Sequence, residues 1–191
     1  MREFIYFSSS ARTSGNFSTD ELMKAGRMDI VCHSIINALF ISNNIREDTK
    51  IHLIFYGMPD PPKHLEIWGK APISKKDIAG LIKRMLFKYK PGEKAEALKD
   101  CFIEKKNLFG LIGELKKQGK DIYLLDKKGG EIQNAEISKN PVFLLGDHEG
   151  LPQKELKRLK KITTPISLGK KTYFASQSVT IVNYVLDLKE I

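Results

Sequence analysis

Pro141-Val142-Phe143-Leu144-Leu145-Gly146-Asp147-His148-Glu149-Gly150-Leu151-Pro152 is the stretch whose reading decides the fold. The apolar run Val142 to Leu145 is too short for a helix and suits a buried strand, and Gly146 and Gly150 bracket a loop that brings backbone close to something. A second unit of the same kind follows. Ile162 to Leu168 reads as a strand, Gly169 to Phe174 as a loop, and Ala175 to Leu186 as a helix with apolar positions at Val179, Val182, Tyr184, Val185 and Leu186. Two strand-loop elements therefore stand side by side near the C-terminus. In open α/β sheets ligands collect outside the carboxyl ends of such strands, where backbone groups are left unpaired.

Working outward, Arg2 to Phe7 reads as a strand, Ser8 to Ser18 as a serine-rich loop, and Met28 to Ser42 as an amphipathic helix with Met28, Val31, Ile35 and Leu39 on one face. Ile51 to Tyr56 and His64 to Trp68 read as two strands of a hairpin joined by a rigid turn with three prolines. Ser74, with Asp77 three residues on, opens a helix to Tyr89 whose lysines make one face basic. Lys90 to Asp100 is polar and turn-rich, Asn107 to Gln118 is a helix closed by Gly119, and Asp121 to Leu125 is a strand. The alternation predicts an α/β fold with a largely parallel central sheet flanked by helices, and no linker divides residues 1–191 into two domains.

A chain of 191 residues with 41% hydrophobic residues is long enough for a sizeable core. Its formal net charge of +9 favours an anionic partner, nucleic acid first, because each Lys or Arg meeting a phosphate releases condensed counterions. Cys32 and Cys101 are too few for a disulfide framework, which points to reduced thiols in an intracellular protein. The N-terminus lacks the apolar stretch of a signal peptide and no segment approaches the length of a membrane span, so a soluble, cytoplasmic protein is expected.

The order of motifs carries the function. The loop Gly146-Asp147-His148-Glu149-Gly150 is followed by Ser167-Leu168-Gly169-Lys170-Lys171-Thr172-Tyr173-Phe174-Ala175-Ser176-Gln177-Ser178, and then by the helix Val179 to Asp187. Upstream lie Arg2-Glu3-Phe4-Ile5, Gly26-Arg27-Met28-Asp29, Ser42 with Ile45-Arg46 and Asp48, and Tyr56-Gly57 with Pro59. Over nearly the whole chain this pattern resembles the SPOUT (α/β-knot) RNA methyltransferases, and within them the archaeal-type tRNA pseudouridine-54 N1-methyltransferases. The resemblance implies a C-terminal trefoil knot, which no periodicity would predict because threaded chains are rare. It also implies S-adenosylmethionine as cofactor, held by a knotted region of about residues 121–191, with tRNA as substrate and a homodimer whose two subunits complete the site.

Carried over motif by motif, the cofactor contacts implied are Leu125, Gly146, Ser167, Leu168, Gly169, Lys170, Lys171, Thr172 and Ser178. Many relatives have cysteine at the position of Ser178, and an arginine where this chain has His33; the first contact is to backbone, so serine serves, whereas a mostly neutral histidine is a poorer phosphate ligand. Arg27 and Asp29 are the implied catalytic pair, Arg27 holding a phosphate or the substrate base and Asp29 orienting it or accepting a proton. Two residues apart on a helix, they are not expected to face each other. As an ordinary helix start, Asp29 simply complements the dipole.

The implied chemistry is a displacement in which a ring nitrogen attacks a sulfonium methyl group. In pseudouridine the base is joined to ribose through carbon, so N1 carries a removable hydrogen; in uridine that nitrogen is in the glycosidic bond. Positioning at near-attack distance can supply on the order of 7 kcal/mol of barrier lowering, and a base adds less. Asp29 is the first candidate base, followed by Asp147 and His148. Such a reaction needs no metal, and the scattered His33, His52, His64 and His148 form no ligand-spaced pair, so none is predicted. Lys154 to Lys161 is a basic helix end beside the glycine loop, placed to meet RNA phosphate. Two other classes stay open: methylation of another RNA site or a noncatalytic basic RNA-binding protein, and an enzyme acting on free nucleotides, which would need a phosphate-binding glycine loop that is not present.

Overall fold

A computed structural model describes all of residues 1–191. The chain begins with strand β1 (Arg2–Ser8) and, after a short 3-10 turn at Leu22–Ala25, helix α1 (Met28–Leu39). The small hairpin β2 (Phe40–Ile41) and β3 (Asn44–Ile45) leads to β4 (Thr49–Phe55) and β5 (Lys63–Trp68). A 3-10 turn at Lys75–Asp77 opens α2 (Ile78–Phe87), and β6 (Ala95–Leu98), β7 (Cys101–Glu104) and α3 (Leu108–Lys117) follow. The last third holds β8 (Asp121–Glu131), β9 (Pro141–Gly146), α4 (Gln153–Ile162), β10 (Thr164–Ser167) and α5 (Ala175–Leu188).

Eight strands form one sheet in the order β10-β8-β9-β1-β4-β5-β7-β6. The five from β10 to β4 run parallel, and β5, β7 and β6 add antiparallel pairings at one side. The largely parallel sheet flanked by helices is therefore present. β1 lies in its middle, between β9 and β4, and all seven of its residues are buried, the apolar run Phe4 to Phe7 together with Arg2, Glu3 and Ser8, whose polar groups are paired.

Alternation along the strands divides the core. Phe4, Tyr6, Leu53, Leu65, Phe143 and Leu145 face α1, α2 and α5, whereas Ile5, Phe7, Ile54, Val142 and Leu144 face α3 and α4. Met28, Val31, Ile35 and Leu39 are fully buried, so the apolar face of α1 was read correctly, although the helix ends at Leu39 and Phe40 turns into the small hairpin. Ser74 does cap the turn before α2, accepting from the Lys76 amide, and Asn107 caps α3 by accepting from Gly110.

Three expectations are corrected. The polar segment from Lys90 to Asp100 contains the edge strand β6, whose sequence Ala-Glu-Ala-Leu alternates against β7 in a way that a turn-rich composition hid. Ile162 closes α4 rather than opening β10. Tyr184 points outward from α5 and is 62% exposed, the buried stripe being Val179, Val182, Val185 and Leu186.

The second sheet face over β4, β5 and β7 is closed not by a helix but by a charged layer. Glu3, His52, His64 and Glu104 form a row across four strands: His52 Nε2 to Glu3 Oε2 2.9 Å, His52 Nδ1 to His64 Nε2 2.9 Å, His64 Nδ1 to Glu104 Oε1 3.0 Å. Lys120 caps Glu3 and Lys106 caps Glu104. Glu66 joins from β5, its carboxylate receiving Trp68 Nε1 at 2.6 Å and Lys94 at 2.7 Å. Burial pushes the His64 imidazole down to about 4, more than its Glu104 partner restores. Glu3 and Glu104 are pushed up by burial, but their imidazole and lysine partners prevail and hold both near about 2. Strand register, not sequence spacing, brings these groups together.

The two ends of the chain are fastened to each other. The buried Arg2 guanidinium donates to Asp187 Oδ1 at 2.8 Å, to Asn183 Oδ1 at 3.2 Å and to the Ile191 carbonyl at 2.5 Å, while Arg46 grips Asp187 with both nitrogens at 2.8 and 2.5 Å. Arg46 and Arg2 thus share one carboxylate, a bidentate geometry that lysine cannot reproduce.

Candidate active site

The middle of β8, where its register with β10 shifts, the carboxyl ends of β9 and β10 and the loop into α5 enclose an open cavity of about 590 Å³ including its solvent mouth. Its apolar wall is Leu125, Leu145, Ile166 and Leu168; its polar edge includes Gly146, Ser167, Gly169, Thr172 and Ser178, with Lys127 and Lys171 at the rim. Eight of the sequence-derived positions, Leu125, Gly146, Ser167, Leu168, Gly169, Lys171, Thr172 and Ser178, lie on this one cavity. Lys170 does not: it is exposed at the bend of the loop and falls outside the lining. Asp126, Lys127, Leu145, Ile166, Tyr173 and Ala175 also line the cavity and were not anticipated, although Asp126, Leu145, Ile166 and Tyr173 each adjoin a position that was.

The loops are shaped by close backbone approach. A Cβ on Gly146 would lie 2.5 Å from the Gly150 carbonyl carbon and 2.8 Å from the Leu151 nitrogen, so only glycine lets the 147–150 turn fold back onto the strand end. The Ser167 hydroxyl accepts from the Gly169 amide at 3.1 Å and fixes the bend beyond β10. Ser8 at the end of β1 donates to Asp147 Oδ2 at 2.6 Å, Ser9 donates to Glu149 Oε2 at 2.6 Å, and the Glu149 amide donates to Asp147 Oδ1 at 2.9 Å. The first strand therefore clamps the glycine loop that follows β9.

A second opening adjoins the first and shares Asp147, Thr172, Tyr173 and Ala175 with it; Ile30, His148, Phe174 and Gln177 complete its wall. Ile30 brings the start of α1 to this place. Arg27 precedes that helix in the left-handed conformation, at φ 61°, and so lies outside the helical frame. That is why it reaches Asp29 after all, with Nε to Oδ1 and Nη2 to Oδ2 both 3.0 Å, contrary to the helix-spacing argument. Gly26 makes the turn possible: at φ 73° its Cβ would fall 1.8 Å from the Ser10 carbonyl oxygen.

The electrostatics discriminate among candidate bases. The Arg27 hydrogen bonds hold the Asp29 carboxyl below its ordinary range, so the pair is a fixed ionic fork rather than a ready proton acceptor. Asp147 is corrected as a candidate too, since its side chain is fully buried beneath the loop with both oxygens engaged. Beside these two carboxylates the buried Tyr6 hydroxyl has no hydrogen-bond partner, and burial together with both acids pushes its ionisation upward. His148 stands on the loop with a side chain 34% exposed.

An aliphatic slot bounded by glycine backbone and three hydroxyls, with lysines at the mouth, suits a ligand with a flat aromatic base, a polar sugar and a tail that carries a carboxylate. S-adenosylmethionine has that composition, and the residues present fit it.

The profile of a family of SAM-dependent RNA methyltransferases matches residues 1–191. The chain is 32% identical over 204 residues to tRNA (pseudouridine(54)-N(1))-methyltransferase from Methanocaldococcus jannaschii, covering 100% of this chain and 98% of the relative. It is 34% identical over 200 residues to the protein of the same name from Methanococcus aeolicus, covering 98% of each. Among solved structures, Archaeoglobus fulgidus Nep1 bound to S-adenosylhomocysteine superposes with a TM-score of 0.65 at 15% identity over 99% of both chains, a likeness of fold. The SPOUT resemblance read from the motifs is thereby borne out, and the chain belongs to the family of SAM-dependent RNA methyltransferases.

Proposed function

We propose that this protein N1-methylates pseudouridine at position 54 in the T-loop of tRNA, as a homodimer in the cytoplasm, without a metal. The observation that carries the reading is the pair of adjoining openings, one fitted to the methyl donor and the other opening beside it, with Asp147, Thr172, Tyr173 and Ala175 as their common wall. The names of the relatives supply the substrate.

When bound, S-adenosylmethionine supplies an electrophilic methyl group on a sulfonium. The protein does the rest by placement. Leu125, Leu145, Ile166 and Leu168 would take the adenine, and Ser167, Thr172 and Ser178 the sugar and the backbone-facing edges, while Lys171 stands at the mouth. The Arg27–Asp29 fork would hold a phosphate or the base carbonyl of the target nucleotide. Exposed Phe174 (71%) at the lip of the second opening would stack on the extruded base. Lys154, Lys157, Lys161 and the neighbouring Arg158 on α4 would meet the RNA backbone.

The whole chain acts in this reading as one domain. Residues 129–135 wrap the last strand and helix, with the Ile132 amide donating to the Ser167 carbonyl at 2.9 Å and Lys189 Nζ to the Gln133 carbonyl at 3.1 Å; this supports the threaded C-terminal region of about residues 121–191. Tyr184 (62% exposed) and Leu188 (67%) give α5 an apolar outer strip that a second copy would cover.

The test incubates the protein with labelled S-adenosylmethionine and two T-loop hairpins that differ only in uridine or pseudouridine at position 54. Methyl incorporation confined to the pseudouridine hairpin, located at N1 by mass spectrometry, is expected. Label on neither hairpin, with the cofactor still bound in calorimetry, overturns the substrate.

A further inference from the structure

We propose that His148 accepts the proton released by the attacking ring nitrogen, with Asp147 beneath it as the charge that stabilises the resulting imidazolium. The proposal rests on the methyl-transfer reading above and adds the residue that makes the nitrogen a nucleophile.

Elimination and geometry converge on His148. The Asp29 carboxylate is occupied by both nitrogens of Arg27. The Asp147 carboxylate is shut beneath the loop by Ser8 and the Glu149 amide, and the Tyr6 hydroxyl is buried with no route to a ligand. Lys127 and Lys171 are cations at the mouth of the donor cavity and have no lone pair to offer. His148 lines the second opening and not the first, which is the side on which an acceptor base would enter. Its Nδ1 lies 3.9 Å from Asp147 Oδ1, too far for a hydrogen bond but near enough to place the carboxylate charge beside the ring, and a neutral imidazole there has a free lone pair to offer. The other charged or titratable groups around this opening are Glu149, which Ser9 holds, the Tyr173 phenol, and the Arg27–Asp29 fork at the start of α1, whose own charges cancel.

The step balances. The N1 lone pair forms the N–C bond, the C–S bond breaks with its electrons going to sulfur, and the N1 proton passes to the His148 imidazole, which returns it to water when product leaves. An imidazole is suited to this because its charge changes near neutral pH, whereas an ion-paired carboxylate is too weak a base.

Two measurements test it on the full-length protein. The single-turnover rate on the pseudouridine hairpin is measured against pH for wild type and His148→Gln, with S-adenosylmethionine affinity from calorimetry as control. His148→Gln is expected to lower the rate at least 100-fold, to remove the bend in the pH profile, and to leave cofactor affinity unchanged. Independently of turnover, the His148 imidazole is titrated by NMR in the S-adenosylhomocysteine-loaded protein. Its midpoint is expected to move when the pseudouridine hairpin binds, and not with a hairpin already methylated at N1. A variant within threefold of wild type, or an imidazole titration that ignores the pseudouridine hairpin, overturns the assignment. Wild-type protein that methylates no pseudouridine hairpin overturns the substrate reading and this one together, whereas an active wild type with an equally active variant overturns only the role of His148.

Discussion

Acid should loosen this protein well before its carboxylates protonate, and His64 is the reason. The buried imidazole is held down to about 4, against an ordinary value of 6.5, so the unfolded chain takes up a proton at this residue that the native state refuses. The stabilisation is therefore complete above about pH 6.5 and is lost as pH falls toward 4. Two and a half pH units at about 1.36 kcal/mol each give a contribution of about 3 kcal/mol. Glu3 and Glu104 are held near 2 and stay ionised in the native state; their own contribution begins to fall only as the unfolded carboxylates protonate near 4.5, and the comparison of the two proteins removes the part they share. The assay is urea unfolding of wild type and His64→Gln at pH 7.5, 6, 5 and 4. Glutamine does not titrate, so the stability advantage of wild type should shrink by about 3 kcal/mol from the highest pH to the lowest. Parallel losses in the two proteins would refute the reasoning and move the acid sensitivity elsewhere.

Gly146→Ala drives a Cβ against the backbone of Gly150, and the turn must shift; a loss of about 1–3 kcal/mol in unfolding free energy is expected, with S-adenosylmethionine affinity down at least tenfold in calorimetry. Unchanged affinity would mean the 146–150 loop does not shape the cavity. Arg27→Lys replaces a two-pronged grip on Asp29 with a single ammonium, and methyl transfer to RNA should fall at least tenfold while cofactor affinity stays constant; equal losses in both would place Arg27 at the cofactor instead. Replacing Lys154, Lys157 and Lys161 of α4 with alanine should weaken hairpin binding and flatten its salt dependence by roughly 0.9 log units per phosphate contact removed, read from filter binding between low and moderate salt. An unaltered slope would turn α4 away from the RNA.

The central strands, the helices and their faces could be read because their cues are local: β1 and β9 each carry an apolar run of four, Phe4 to Phe7 and Val142 to Leu145, and Ser74 and Asn107 sit where caps belong. The cavity was legible as motifs, since three parallel strands and the glycine-bearing loops that follow β9 and β10 supply most of it. Other features depend on distant partners. β6 is visible only once β7 lies beside it, and the Glu3–His52–His64–Glu104 row exists only through the register of four strands. The Arg27–Asp29 fork needed a left-handed residue before α1, which helical spacing rules do not contain. Asp147 looked available in a glycine-rich loop, and nothing in the sequence announced that Ser8, 139 positions earlier, would seal it.

Because the earliest-made strand is also the central one, the order of synthesis runs against the order of assembly. β1 emerges from the ribosome first, yet its β9 neighbour and the loop that Ser8 and Ser9 grip arrive some 140 residues later, and Arg2 waits for the final helix. Such long sequence separations slow the search for the native pairing. A nascent or truncated chain lacking its last third would expose the β9-side edge of this buried strand and possess no cofactor pocket, so catalytic competence arrives only once α5 has been made, and any deletion that removes α5 should yield a chain for chaperones and proteases rather than a weaker enzyme.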